Sequence, residues 1–75
     1  MKVKIKDLDG FTRSVFGADA FIEHFPKLLT TGVTIEPEEL RGQELYYIVN
    51  PETGKKYDVT AFFSKEELQY LTAMI

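Results

Sequence analysis

The sequence predicts a single α+β domain over residues 1–75: a small antiparallel sheet of two hairpins, a short middle helix, and a C-terminal helix packed on the sheet. Three stretches predict it. Residues 43–60 hold two apolar-rich runs around the turn Asn50-Pro51-Glu52-Thr53-Gly54-Lys55. Residues 64–75 open on a helix cap and continue with apolar residues at helical spacing. Lys2 to Lys6 alternates strictly, with Val3 and Ile5 on one side and Lys2, Lys4 and Lys6 on the other, as a half-buried strand does.

After that first strand, Asp7-Leu8-Asp9-Gly10 reads as a turn in which Gly10 takes positive φ. Phe11–Phe16 then returns as a second strand, antiparallel to the first. A three-residue loop places Phe11 and Val15 on the core side; a two-residue Asp9-Gly10 loop places Phe16 there instead. Gly17 ends this pattern. Asp19 is positioned to cap a short helix near residues 19–26, with Phe21, Ile22 and Phe25 on one face and Glu23 and His24 facing away. Pro26 disfavours helical geometry at Phe25 and stops that helix. Leu28 and Leu29 anchor the exit before the turn Thr30-Thr31-Gly32. Val33–Glu36 is a short strand. Pro37-Glu38-Glu39-Leu40-Arg41-Gly42 reads as one helical turn, with proline at its first position, acids beside it and glycine at its end.

The hairpin that follows organises the chain. Pro51 presets φ at the first loop position and Gly54 supplies a left-handed residue at the last. With Asn50 and Lys55 flanking the loop, Ile48 faces Tyr57 and Tyr46 faces Val59, which gathers four large apolar side chains on one face. A slip of one residue would join Lys56 and Asp58 to that face, so pattern and turn agree on a register. The opposite face of the first strand carries Leu45, Tyr47 and Val49. Two readings fit this double-sided strand: an interior strand whose second side the N-terminal segments cover, or a partner-binding surface.

Ser64 and Glu67 form a capping box, and Phe63 and Leu68 occupy the positions of a hydrophobic staple. Leu68, Leu71, Thr72 and Ile75 continue at helical spacing, widened by Tyr70, Ala73 and Met74. The expected core is Val3, Ile5, Phe21, Phe25, Tyr46, Ile48, Tyr57, Val59, Leu68 and Leu71.

A chain of 75 residues has one small core and buries only about 60% of the surface its unfolded form exposes. No cysteine is present, which removes disulfides, thiolate catalysis and thiolate metal sites. Aromatic residues, 13% of the chain, supply buried area in their place. The net charge of −3, from 12 acidic and 9 basic side chains, argues against general nucleic-acid binding. No apolar run reaches the roughly 18 residues of a membrane span, and Met-Lys-Val-Lys-Ile-Lys lacks a signal-peptide core. A cytoplasmic protein is the expectation.

Catalytic chemistry has no recognisable carrier, and an enzyme is not expected. His24, the only histidine, has no cysteine, second histidine or carboxylate cluster to work with and reads as a solvated surface residue. The glycines stand alone in turns rather than forming a phosphate cradle. Glu36, Glu38, Glu39 and Glu44 lack the spaced oxygen ligands and turn glycine of a calcium loop. No catalytic, cofactor-binding or metal-ligating residue is therefore assigned, and no cofactor is expected.

The opening Met-Lys-Val-Lys-Ile, then Asp9-Gly10-Phe11, and the later Tyr-Tyr-Ile-Val-Asn-Pro-Glu-Thr-Gly-Lys hairpin resemble the short accessory proteins of phages and prophages. That resemblance covers about a third of the chain. It implies a protein that acts by binding a host protein, as inhibitors of host defence enzymes do, and it carries over no functional residue. The leading expectation is a non-enzymatic protein-binding module. Its candidate partner-binding residues are Leu45, Tyr47, Val49, Phe62, Tyr70 and Met74, because aromatic and apolar side chains beyond the needs of one small core are the usual interface anchors. Two alternatives remain: a nucleic-acid-binding module using Lys2, Lys4 and Lys6 with Arg13, Lys55 and Lys56, and a structural homodimer closed through the spare apolar strand face.

Overall fold

The computed structural model describes residues 1–74, so the predicted helical position of Ile75 lies outside the described residues. The fold is a small α+β domain: a five-stranded antiparallel sheet with two helices against one face. The strands are β1 (Lys2–Ile5), β2 (Val33–Leu40), β3 (Gln43–Val49), β4 (Phe62–Ser64) and β5 (Leu71–Met74), in the spatial order β4-β3-β2-β1-β5. Between β1 and β2 come α1 (Leu8–Ser14), α2 (Ala18–His24) and a 3-10 turn at Pro26–Leu29.

β1 has the predicted alternation, with Val3 and Ile5 buried. The segment after it is a helix, not the expected returning strand. Asp7 caps it, its carboxylate accepting the Gly10 N–H at 3.0 Å, and Asp9 pairs with Arg13 one turn on at 2.9 Å. Phe11 and Val15, four residues apart, share its buried face. Gly10 is accordingly helical rather than a positive-φ turn residue.

α2 lies where a helix was expected. Gly17, at φ 72°, precedes it with no side-chain cap, and Asp19 sits inside the first turn instead of capping. The rings of Phe11, Phe21 and Phe63 meet at the centre of the domain, Phe21 stacking on Phe63 with centroids 4.6 Å apart. This cluster ties both helices to β4. Leu28, from the 3-10 turn, is fully buried beside it.

Residues 37–42 correct the expected helical turn. β2 runs on through Pro37 to Leu40 and returns through a two-residue hairpin loop, Arg41 (φ 52°) and Gly42 (φ 80°). Proline is tolerated here for a geometric reason. The Ile35 N–H donates to the Met1 carbonyl, and two residues later the Pro37 nitrogen faces the same side, past the last β1 pairing.

β3 is the interior strand the pattern predicted, paired with β2 along its whole length and with β4 on its other side. The turn after it forms as predicted. Asn50 donates to the Lys55 carbonyl, its own side chain accepts the Glu52 N–H, and Gly54 has φ 71°. The predicted register persists through the bridge of Val49 with Lys56 and the bond from the Tyr57 N–H to the Ile48 carbonyl. The chain then bulges outward, and Tyr47 pairs with Phe62 rather than Asp58, a slip of four residues. Phe63 therefore takes the core position expected of Val59. Tyr57 and Val59, predicted in the core, are 55% and 71% exposed.

The capping box forms in both directions: Ser64 N–H to Glu67 Oε1 at 2.8 Å, and Glu67 N–H to Ser64 Oγ at 3.3 Å. The expected C-terminal helix does not follow. A single 3-10 segment, Glu66–Tyr70, ends where Leu71–Met74 becomes β5, paired along the whole of β1. Pairing with the open side of β1 satisfies that strand's backbone, which a helix packed on the sheet would leave unpaired. No helix among the described residues is long and apolar enough to cross a membrane.

Candidate protein-docking surface

Two local devices push apolar side chains outward at the same end of the molecule. The first is the turn between α1 and α2. The left-handed Gly17 reverses the chain so that Val15 and Ala18 are buried while Phe16, between them, is 96% exposed. The second is the bulge after the hairpin. The Asp58 carboxylate accepts both the N–H and the hydroxyl of Thr60 at 2.9 Å, and the Ala61 N–H donates to the Asp58 carbonyl at 3.1 Å. This closed turn holds Tyr57 and Val59 away from the core, with the Tyr57 ring 5.7 Å from that of Phe25.

Between these devices lies an open cleft of about 450 Å³, walled by Phe16, Ala20, Phe21, Phe25 and Tyr57. His24 and Asp58 stand at its rim. Two hydrogen bonds from Thr60, the backbone one foremost, hold the Asp58 carboxyl below the usual aspartate range, and the charge of His24 adds to this. A second, more polar hollow of about 770 Å³ adjoins it across Phe25 and Tyr57, with Lys2, Lys27 and Glu52 among its walls. His24, expected as a solvated residue, is exposed and borders both hollows.

The six residues singled out from the sequence occupy three separate places. Leu45, Tyr47 and Val49 are buried, in a small cluster with the half-buried Phe62 on the sheet face opposite the helices. The covering is not the expected N-terminal segments, which pack on the other face. It is Phe62, 5.4 Å from Tyr47 between ring centres, and Lys56, whose Nζ lies 4.0 Å above the Tyr47 ring while it pairs with Glu38. Tyr70 packs at the edge of the main core. Met74 lies on β5, beside Gly32 and opposite Lys2.

Phe16 was not singled out from the sequence as a surface residue. One signal for it is present: Phe11 and Val15 recur at helical spacing, which leaves Phe16 off the buried face. Among the described residues no group of three or more histidine, aspartate or glutamate side chains is placed to hold a metal ion. Compared with family models, curated proteins and solved structures, the chain matches none of them.

Proposed function

We propose that this protein is a non-enzymatic protein-binding module that docks through the Phe16–Tyr57 surface. The observation that carries the reading is Phe16, a large apolar side chain held 96% exposed on a tight turn at the mouth of an aromatic cleft. Aromatic side chains beside a preformed apolar hollow are common interface hot spots, because each brings a large apolar area with only two side-chain torsions to fix on docking. Tyr57 and Val59 extend the apolar area, and Asp58 and His24 give it a polar rim.

The resemblance of the opening Met1–Ile5, of Asp9-Gly10-Phe11 and of the Tyr46–Lys55 stretch to phage and prophage accessory proteins supports a partner from a host cell, with inhibition of that partner as the mode of action. A protein partner is favoured over a nucleic acid because the cleft beside Phe16 is walled by apolar and aromatic side chains, with Asp58 at its rim and no lysine or arginine among its described lining residues.

The test is a comparison of the wild-type chain with Phe16→Asp and Tyr57→Ser as baits in a nuclease-treated bacterial lysate. A protein retained stoichiometrically by the wild type and lost from both variants, at unchanged melting temperature, supports the reading. Retention by all three baits places the interface elsewhere. Retention of nothing but further copies of the chain replaces it with the homodimer.

A further inference from the structure

The open strand edges of this sheet are not alike. β4 is only three residues long, and the free half of β2 carries Pro37 with Glu36, Glu38 and Glu39; these are devices that block strand addition. β5 has none of them. Leu71-Thr72-Ala73-Met74 contains no charge, no proline and no bulge, and no strand among the described residues pairs with its outer side.

Its hydrogen-bonding groups can be assigned from the ladder. The Lys6 N–H donates to the Tyr70 carbonyl, so in this antiparallel pair Tyr70, Thr72 and Met74 direct their backbone groups at β1. Ala73 therefore directs its N–H and carbonyl outward, together with the Leu71 carbonyl. This is a short template for one more strand.

What flanks the template selects the occupant. Lys2 and Lys4 stand on one face of β1, one strand in from the edge, opposite Met74 and Thr72, and Lys6 follows in the bend that leaves the strand, its N–H bonded to the Tyr70 carbonyl. None of the three makes an ion pair among the described residues. Lys2 and Lys4 lie two residues apart, about 6.7 Å, which is also the spacing of same-face side chains on an added strand. An added strand lies two spacings from β1, about 9.5 Å, within the combined reach of a lysine and a glutamate. A second copy of β5 fits less well, since Leu71-Thr72-Ala73-Met74 offers no acidic side chain to the lysines.

We propose that the β5 edge binds an extended peptide segment with acidic residues at alternate positions, by strand addition. The site is separate from the Phe16 surface and does not depend on it.

The probe is a capped seven-residue peptide alternating glutamate and valine, titrated into the labelled full chain, with the matching lysine–valine peptide as control. The Ala73 amide resonance shifts saturably with the acidic peptide, and binding weakens as salt rises. The lysine peptide binds roughly tenfold more weakly or worse. Ala73→Pro removes only the outward N–H, so it abolishes binding without disturbing the ladder to β1. Should that variant fail to fold, the combined Lys2→Glu, Lys4→Glu, Lys6→Glu variant reverses the preference to the lysine peptide. Phe16→Asp binds the acidic peptide as the wild type does. Equal binding of both peptides, undiminished binding to Ala73→Pro, or no binding to the wild type each overturns the proposal. So does a wild-type dimer that Ala73→Pro dissociates, which assigns the edge to a second copy.

Discussion

The ring of Tyr70 lies against the bare α-carbon of Gly10: a β-carbon at Gly10 would sit 2.7 Å from Cδ1 and Cε1 of the ring. α1 and the 3-10 segment before β5 approach this closely because that position has no side chain. Gly10→Ala adds about 1 kcal/mol of helix propensity, yet the added methyl overlaps both the ring and the Asp7 carboxylate that caps the helix. The variant is expected to lose about 1–3 kcal/mol of stability in urea denaturation. Tyr70→Leu should relieve part of that loss in a double-mutant cycle. A Gly10→Ala protein more stable than wild type would show that the ring moves aside freely.

The four-residue slip in the second hairpin makes opposite demands on two apolar residues. Phe63 is fully buried while Val59 is 71% exposed. Phe63→Ala is expected to cost about 3–5 kcal/mol, and Val59→Ala to stay within about 0.5 kcal/mol of wild type. The register that the alternation alone suggests reverses this order. Equilibrium denaturation of the two variants decides between them.

Arg41 holds φ at 52°, a left-handed conformation that costs a side-chain-bearing residue free energy unless, like asparagine, it bonds locally. Arg41→Asn is expected to raise stability by about 0.5–1 kcal/mol, because Asn-Gly is the favoured pair for a two-residue hairpin loop. A change in melting temperature of the opposite sign would mean that the arginine side chain makes a compensating contact.

Asp58 has a lowered pKa, so its hydrogen-bonded carboxylate favours the folded state. That contribution is fully present above the unfolded-state pKa and is lost as pH falls through the lower folded value. Its exposure to solvent keeps the effect small. In an NMR titration, the Asp58 carboxyl should titrate below the ordinary aspartate range. Thr60→Ala should move it only part of the way back, because the backbone N–H that contributes most remains. A full return would make the hydroxyl the dominant partner.

Chain-local features were legible in the sequence, while the partners of the strands were not. The Asn50–Lys55 turn, the Ser64–Glu67 capping box and the α2 position each depend on groups within about six residues of one another, and each formed as the residues indicated, while apolar residues on both sides of β3 marked it as interior without naming the strands that flank it. Asp7, Asp9 and Arg13 also signal a helix at α1, but Asp-Gly competes with them as a hairpin turn, and only Phe11 packing on Phe21 and Phe63 decides the matter. Alternation could not detect the slip after Tyr57, because an even slip keeps every side chain on the same face. The capping box marked where a helix could start but not how far it ran. Leu71, Thr72, Ala73 and Met74 suit a helix or a strand, and they become a strand because β1 offers an unpaired edge beside them. Phe16 owes its exposure to the left-handed turn at Gly17 acting together with the non-local packing that placed Val15 and Ala18 inside. Capping and turn chemistry are set by nearest neighbours along the chain; register, edges and surfaces are set by residues that meet only when it has folded.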